Sequence, residues 1–370
     1  MSTIDSSNPA WPLYHCNVMG AWSASMGAGI AVVHPDTGWT THPELTRGQR
    51  YLRDQKLSRS FREGEEDGTA EDPLVPALLT RHPGHGTTTA GSMIGGFGSP
   101  ADGTDNDAPP LLPDYDELVD APYASGSGPL VHVLPQRVTD SVVVGGRDLA
   151  ALIEAVYFAQ GVDDPDGVWQ AGVVSISLGR LSYAFALEQA LYHARLAGIV
   201  VCAAAGQGSR LPLGPVWPGR SVHTICVAAC DNTDTMLARG FYGPEVDITA
   251  AGVNVAVPLP RRSWGETAFE YDRTDGSSHA TAMVATACAL WQAHHGREAL
   301  IQFYGGPEFL LDAFRLTLRR SCRIPDEWDQ DEHGHGVLDV AALLAEDLPA
   351  AADVQDLADE IGWYDEESWD

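Results

Sequence analysis

Three short blocks of the sequence carry a carboxylate, an imidazole and a hydroxyl, the groups that together activate a serine nucleophile. Asp36 ends the block VVHPD, His85 ends the block HPGH, and Ser278 ends the block DGSS. A serine hydroxyl is a weak nucleophile until a histidine accepts its proton and a carboxylate orients that histidine. Each block alone has a plainer explanation, as a turn, a surface histidine or a helix cap. Together, in the order Asp, His, Ser, they predict a catalytic triad.

Two predicted helix starts and one predicted strand end would position these groups. Residues 278–295 have an apolar face at helical spacing, and residues 86–94 are small or apolar, so Ser278 and His85 each stand at the beginning of a helix. The positive end of the helix dipole at Ser278 would favour negative charge developing on a substrate. Asp36 follows an apolar run, as expected at the edge of a parallel sheet where ligands bind.

The spacing of apolar runs predicts the fold class α/β. Five continuously apolar segments are typical of strands buried on both faces, namely 28–33, 130–133, 172–177, 199–204 and 224–229. Helix-length stretches lie between them, at 86–94, 147–159 and 183–197. This alternation predicts a mostly parallel sheet with helices on both faces.

The chain is strongly acidic. Its 370 residues include 22 Lys and Arg against 51 Asp and Glu, which gives a net charge of −29. Such a field repels nucleic acids and anionic membranes and favours basic peptides, although an acidic surface also serves solubility alone. We therefore expect no nucleic acid partner and no membrane partner. No apolar run approaches the roughly 18 residues of a membrane span either.

Cysteine usage and the start of the chain predict a cytoplasmic location. The six cysteines form no CxxC pair, and Cys202, Cys226 and Cys288 lie in apolar segments typical of buried thiols. Residues 1–29 lack the charged and apolar regions of a signal peptide. The first predicted strand also begins so early that we expect no folded pro-segment.

The three blocks resemble the signatures of the subtilisin-like serine proteases, the subtilase family (peptidase S8). Asp-Thr-Gly from Asp36, His-Gly-Thr from His85 and Gly-Ser-Ser-x-Ala-Thr around Ser278 occur in that family's order. Further segments match over about residues 10–345, at 173–179, 201–207, 217–218, 222–229, 243–248 and 335–339. The resemblance implies a three-layer α/β/α fold with a mostly parallel central sheet. Because we expect no signal peptide and no pro-segment, we expect the chain to be similar to intracellular processing or regulatory members.

The resemblance also implies a role for each site residue. Ser278 would be the nucleophile, His85 the general base and then acid, and Asp36 the group that orients His85. The backbone N–H of Ser278 and the side chain of Gln207 would form the oxyanion hole. An extended peptide would pair with the substrate-binding segments like an added strand. Those segments comprise Val142, Val143, Val144, Gly145, Ser177, Leu178, Gly179, Ala204, Ala205 and Gly206.

The sequence departs from the family pattern at two positions. Gln207 stands where the family normally has Asn. It offers the same amide donor on a stem one methylene longer, so the loop must sit back to aim it. Ala282 stands where the family usually has Pro in the first helical turn, which concerns helix stability rather than chemistry.

Charged segments surround this framework. We assign residues 1–346 to a peptidase domain with charged insertions at about 43–81 and 97–128, which we expect to be exposed. Residues 347–370 form an acidic tail with apolar residues at roughly helical spacing. That pattern fits either a partner-binding helix or a disordered end, and its charge favours the disordered end.

The leading hypothesis is a serine endopeptidase that cleaves a peptide or protein substrate through an acyl-enzyme. The alternative is a catalytically weak relative that only binds a peptide or partner, which the exchange at Gln207 supports. A metal hydrolase built on His82, His85, His333 and His335 is disfavoured because no HExxH helix is present. No cofactor is expected for the chemistry, and the resemblance allows for structural calcium. From the net charge, we expect a preference for substrates with Arg or Lys near the cleaved bond.

Overall fold

The computed structural model describes residues 5–46, 57–65, 70–76, 81–95, 126–161, 170–208, 214–263 and 266–361. Most of the expected acidic insertion, residues 97–125, and the last part of the expected tail, residues 362–370, lie outside the described residues. The same holds for residues 47–56, 66–69 and 77–80 of the other expected insertion.

A parallel sheet forms the centre of the molecule. The strands of this sheet within the described ranges are β1 Ile30–Asp36, β2 Arg59–Ser60, β3 His132–Arg137, β4 Gln170–Ile176, β5 Val200–Ala204, β6 Ile225–Cys230 and β7 Ile248–Ala251. Their spatial order is β2-β3-β1-β4-β5-β6-β7. The strand order therefore reverses beside β1, where open α/β sheets form a ligand crevice at their carboxyl edge.

Helices precede, connect and follow these strands. In the described part of the chain they are α1 Trp11–His15, α2 Val18–Ala21, α3 Pro43–Thr46, α4 His85–Ile94, α5 Arg147–Ala159, α6 Phe185–Leu196, α7 Ser277–His295, α8 Arg297–Tyr304, α9 Leu310–Ser321, α10 Gln330–His333, α11 Val340–Ala345 and α12 Ala351–Ile361, with a 3₁₀ turn at Pro307–Phe309. A separate antiparallel hairpin pairs β8 Val255–Ser263 with β9 Glu266–Thr274.

Adjacent side chains of each strand pack on opposite faces of the sheet. In β1, Val32 joins the core formed with α4 and α7, whereas Val33 joins the core formed with α5 and α6. Because both faces are covered, the strands are apolar throughout rather than alternating. The architecture is the three-layer α/β/α arrangement that the sequence and its resemblance predicted.

The sequence located the central elements closely. The predicted helix 147–159 has the same limits as α5, and the predicted strand 28–33 overlaps β1. The cysteines expected to be buried thiols are buried, and none of the six forms a disulfide. No helix within the described ranges has the length and apolarity needed to cross a bilayer.

Two expectations about charged segments are wrong where the structure describes them. Residues 43–81 do not form a wholly exposed excursion, because β2 pairs with β3 at the sheet edge and Asp72 is buried. The tail is not disordered over α12, because Val354 and Leu357 are buried against the domain. The apolar residues at helical spacing outweigh the acidic charge there, since burying them removes apolar surface from water.

Candidate active site

Asp36, His85 and Ser278 meet at the carboxyl edge of the sheet. The distance from His85 Nδ1 to Asp36 Oδ1 is 2.8 Å, and that from His85 Nε2 to Ser278 Oγ is 3.2 Å. The two nitrogens of one imidazole therefore face a carboxylate and a hydroxyl on opposite sides. This is the hydrogen-bond pattern that lets an imidazole take a proton from serine while a carboxylate fixes its tautomer.

Glycines allow the Asp36 and His85 segments to approach. Gly84 has φ of +79°, a conformation that favours glycine, and it turns the chain directly into α4 at His85. Gly86 lies against the backbone after β1, and a Cβ placed on it would be 2.0 Å from the carbonyl oxygen of Gly38. The first turn of α4 can therefore reach Asp36 only without a side chain at position 86.

Ser278 is the second residue of α7, so its backbone N–H has no helical acceptor four residues earlier. Among the described residues this N–H donates to no other group, and it stands at the positive end of a long helix. An anionic oxygen near Ser278 would find a donor ready. The carbonyl of Ser278 accepts a hydrogen bond from Ser177 Oγ at 3.1 Å, which ties the helix start to the end of β4.

The electrostatics of the Asp36–His85 pair favour a charged carboxylate. Burial alone would raise the pKa of Asp36, but the charge of His85 and hydrogen bonding hold it well below 3.8. His34 Nε2 lies 3.6 Å from Asp36 Oδ2, too far for a good hydrogen bond but close enough to attract the charge. Burial would lower the pKa of His85, yet the adjacent Asp36 carboxylate raises it above 6.5.

A second buried carboxylate, Asp72, supports both partners of this pair. It accepts hydrogen bonds from Thr37 Oγ1 at 2.7 Å, from the Leu74 N–H at 2.8 Å and from the Gly84 N–H at 2.8 Å. Thr37 follows Asp36, and Gly84 precedes His85. Asp72 therefore joins the segment that follows Asp36 to the segment that precedes His85, and its charge contributes to the raised pKa of His85. Sequence patterns gave no signal for it, because its partners are distant in the chain.

His279 places another imidazole next to the candidate nucleophile. It is buried, it lines the cleft, and its Nδ1 lies 3.0 Å from Ser92 Oγ. Burial, reinforced by the charge of His85, lowers the pKa of His279 to about 3. His279 is therefore neutral at physiological pH and adds no positive charge to the site.

The side-chain amide of Gln207 forms two hydrogen bonds to the residues just before Ser278. Its Oε1 accepts a hydrogen bond from the Ser277 N–H at 2.8 Å, and its Nε2 donates to the Asp275 carbonyl at 3.0 Å. The longer glutamine stem lets the amide reach the loop just before the nucleophile. An amide nitrogen carries two hydrogens, so one N–H remains beyond the bond to Asp275.

A cleft of about 1300 Å³ opens at these residues. Of the substrate-binding residues expected from the sequence, those that line it are Val142, Val143, Ser177, Leu178, Gly179, Ala204 and Gly206. The other three do not line it, and their role in substrate binding stays a prediction. Val144 and Ala205 are buried in the core, and Gly145 lies outside the lining.

The cleft wall is locally basic, although the chain is acidic. Its charged lining consists of Arg81, Arg180, Arg261, Arg262 and Arg273 against Asp272 and Asp275, beside the histidines. The expected preference for basic substrates was based on the net charge alone. This local charge removes the electrostatic support for that expectation.

The described residues do not offer a convincing metal site. Their one group of three clustered ligands is His15, Cys230 and Asp234, and Arg323 holds Asp234 through two contacts of 2.7 Å. Calcium prefers six to eight oxygen ligands, which this nitrogen, sulfur and carboxylate group does not supply. Structural calcium therefore remains a prediction without a ligand set here. The histidines considered for a metal hydrolase do not form such a group among the described residues.

Comparison with known sequences identifies the family. The sequence model described as the subtilase family matches residues 27–301. The chain belongs to the subtilase family. It is therefore a serine endopeptidase, as the sequence blocks predicted.

Curated relatives agree with this membership. Subtilisin BL of Lederbergia lenta is 29% identical over 272 residues, 71% of this chain and 76% of the relative. The alkaline protease of Alkalihalobacillus alcalophilus is 28% identical over 299 residues, 78% of this chain but 61% of that relative.

Two solved structures share the fold. A protease of Pseudoalteromonas arctica superposes with a TM-score of 0.67 at 21% identity, covering 89% of this chain and 93% of that one. MycP1 without its N-terminal propeptide superposes with a TM-score of 0.63 at 19% identity, covering 92% of this chain and 98% of that one. At such identities these likenesses confirm the three-layer fold alone.

Proposed function

We propose that this subtilase cleaves peptide bonds through Ser278 as nucleophile, His85 as general base and Asp36 as the orienting carboxylate. The observation that carries the proposal is the pair of contacts from His85, 2.8 Å to Asp36 and 3.2 Å to Ser278. Ser278 Oγ attacks the substrate carbonyl carbon while its proton passes to His85 Nε2. The carbonyl π electrons move to oxygen, which becomes the oxyanion of a tetrahedral intermediate.

Collapse of that intermediate breaks the bond between carbon and nitrogen. His85 returns its proton to the leaving amine, and the acyl group stays on Ser278 Oγ. A water molecule then attacks the acyl carbon, with His85 accepting its proton and passing it to Ser278 Oγ as the acid product leaves. Asp36 stays ionised throughout and stabilises the imidazolium that forms twice per cycle.

Two donors are proposed for the oxyanion. The N–H of Ser278 is supported by its position at the start of α7 and by its lack of another acceptor among the described residues. The Nε2 of Gln207 would contribute the hydrogen that does not bind the Asp275 carbonyl. Donors fixed before the reaction stabilise the developing charge without reorganising.

The proposed substrate is a peptide or protein segment in extended form. Val143 and Gly179 already pair as a parallel bridge, and both line the cleft. A strand laid beside them could use backbone hydrogen bonds for affinity and side-chain pockets for selection. We also propose that the enzyme acts in a reducing compartment such as the cytoplasm, which the unpaired, largely buried cysteines support.

Labelling with a fluorophosphonate probe tests the assignment of Ser278. The probe should add to one site in the wild-type chain, and peptide mapping should locate the adduct on Ser278. Ser278→Ala should abolish labelling, whereas the matched variant Ser277→Ala should keep it. Labelling that survives in Ser278→Ala would contradict the assignment.

The weakly catalytic alternative predicts a different result. Its support is that Gln207 Nε2 is already bound to the Asp275 carbonyl. A folded wild-type chain that binds peptides but neither reacts with the probe nor cleaves casein would favour this alternative.

A further inference from the structure

The lining of the cleft combines five arginines with few carboxylates, in a chain where acidic residues outnumber basic ones by 51 to 22. We name Arg81, Arg180, Arg261, Arg262 and Arg273 the cleft arginines. We propose that the cleft selects acidic peptides, with Asp or Glu side chains flanking the bond to be cut. This inference depends on the proposed function for its chemistry but is tested by binding alone.

The cleft acids are already engaged within the protein. Asp272 lies 3.5 Å from Arg261 Nη2 and accepts a hydrogen bond from the Arg273 N–H at 2.8 Å. Asp275 accepts a hydrogen bond from the Asn254 N–H at 2.8 Å. These carboxylates are therefore poor candidates for binding a basic substrate side chain.

Most of the cleft arginines lack a carboxylate partner. Arg261 pairs with Glu270 at 2.9 Å. The other four form no ion pair with any described carboxylate, but the Arg273 guanidinium already donates to three backbone carbonyls. Arg180 Nη2 donates to Ser182 Oγ at 2.7 Å, while its buried Nε and Nη1 have no hydrogen-bond partner. Arg262 has one long contact, 3.4 Å to the Pro73 carbonyl. Unsatisfied guanidinium donors favour carboxylates, which they can bind through two parallel hydrogen bonds.

Two cleft arginines flank the segments proposed to hold the peptide backbone. Arg81 forms a backbone bridge with Ser141, next to Val142 and Val143, and Arg180 directly follows Gly179. A strand laid beside these segments would place alternate side chains within reach of the long guanidinium groups. Arg262 lies on the β8–β9 hairpin, whose Pro260 would contact a Cβ on Gly84, the residue before His85. Several chain segments of the cleft lining therefore carry positive charge.

The overall charge of −29 does not cancel this local preference. At an ionic strength of about 0.1 M the Debye length is roughly 10 Å, so acids on distant surfaces are largely screened. A substrate carboxylate inside the cleft would lie next to the cleft arginines, where screening is weaker. The distant field slows the approach of acidic peptides, and the local contacts decide which bound peptide is retained.

Equilibrium binding to the Ser278→Ala variant tests the proposal without cleavage. Three pools of fluorescent peptides carry Glu, Gln or Lys, respectively, at the four central positions and random residues at all other positions. Fluorescence anisotropy gives the Kd of each pool. The Glu pool should bind roughly tenfold more tightly than the Gln pool at about 50 mM salt, since each exposed ion pair adds a few-fold. The difference should shrink towards equality at about 0.5 M salt.

Charge variants identify the residues responsible. In the Ser278→Ala background, Arg180→Gln and Arg81→Gln should each reduce the Glu preference by roughly two- to fivefold. Arg180→Glu should move the preference towards the Lys pool, a gain that misfolding cannot produce. Arg320→Gln is the matched control, because Arg320 pairs with Asp353 and lies outside the cleft lining.

The outcomes separate this proposal from the proposed function. Equal binding of the Glu and Gln pools, tighter binding of the Lys pool, or no binding by any pool would overturn the acidic preference. Probe labelling of Ser278 would then still stand as the separate test of catalysis. Conversely, the Glu pool could bind most tightly while the probe fails to label the wild-type chain. That result would support the proposed selectivity and contradict the proposed catalysis.

Discussion

A single methylene decides where the amide of Gln207 points. The subtilase family usually has asparagine at this position, and asparagine has a shorter side chain. Gln207 is long enough to reach both the Asp275 carbonyl and the Ser277 N–H. The side chain therefore holds the loop before the nucleophile in place in addition to its proposed role as an oxyanion donor. These two roles make different demands on the amide, and a variant can separate them.

Gln207→Met keeps the length of the side chain and removes the amide. We expect kcat to fall by about 10²–10³, the usual effect of losing one oxyanion donor, with KM little changed. The midpoint of thermal unfolding should also fall, because the Ser277 N–H loses its acceptor. Steady-state kinetics and calorimetry measure the two effects. A lower unfolding midpoint with unchanged kcat would show that Gln207 only clamps the loop.

Asp72 offers a second prediction, on the pH profile. Its carboxylate raises the pKa of His85, so Asp72→Asn should lower that pKa and move the acid limb of kcat/KM to lower pH. Stability should also fall, because the Thr37 hydroxyl and the N–H groups of Leu74 and Gly84 lose a charged acceptor. The pH dependence of kcat/KM provides the measurement. A loss of stability with an unmoved acid limb would restrict Asp72 to a structural role.

The contrast between the triad and Asp72 shows what a sequence can predict about a site. The residues of the proposed triad each lie in a local block, so residue type and spacing are enough to predict them. Asp72, His34 and the cleft arginines act through contacts between distant segments, which no local pattern records. Among the predicted substrate-binding residues, Val143 lines the cleft whereas Val144 is buried in the core, a difference that no local pattern records.

At the scale of elements, apolar patterning was a reliable guide to buried structure. The strands of the central sheet are covered on both faces, so their sequences are continuously apolar and easily recognised. β9 has no comparable signal, because its residues are mostly exposed and, within the described ranges, it pairs with β8 alone. α12 was not expected, because the acidic composition of the tail favours disorder. A few apolar residues are nevertheless enough to bury one face of this helix.

The junction between α4 and the segment after β1 depends on the absence of a side chain at Gly86. Gly86→Ala would add helix propensity worth about 1 kcal/mol, but the new Cβ would meet the Gly38 carbonyl at 2.0 Å. Because the obstacle is backbone, α4 must shift, and we expect a net loss of about 1–3 kcal/mol of unfolding free energy. Urea denaturation measures that loss.

Gly145→Ala is the matched control for this substitution. A Cβ at Gly145 would have no atom within 4 Å, and its φ is not in the positive range that favours glycine. The control should therefore change the unfolding free energy by less than about 0.5 kcal/mol. Equal effects of the two substitutions would mean that the close approach at Gly86 relaxes without cost.

At the scale of the whole molecule, surface charge and interior charge behave differently. Exposed acidic groups far from the cleft are solvated and screened, so they act only weakly on the site. The interior instead contains histidines held neutral by burial. Burial, with the nearby charges of Arg195 and Arg315, lowers the pKa of His223 to about 3, and His279 is shifted similarly. These groups connect folding to pH.

Stability falls as the pH falls, because the unfolded chain binds more protons than the folded chain. Between pH 6.5 and about 3 an unfolded histidine is protonated while His223 in the folded chain is not, so acid favours unfolding. The stabilisation is complete above pH 6.5 and declines below it by up to about 1.4 kcal/mol per pH unit for each such histidine. Asp36, whose folded pKa is depressed, adds to this loss only below about pH 4.

His223→Gln should therefore reduce the slope of unfolding free energy against pH between pH 4 and 6 by the equivalent of about one bound proton. The same substitution should lower the unfolding free energy at neutral pH. Urea denaturation across this range gives the slope, and His193→Gln, at an exposed position, corrects for the loss of an imidazole. His223 lies outside the cleft lining, so the probe reaction at Ser278 should persist at pH 7. An unchanged slope would mean that the interior accepts the proton on His223, and acid sensitivity would then have to come from the carboxylates.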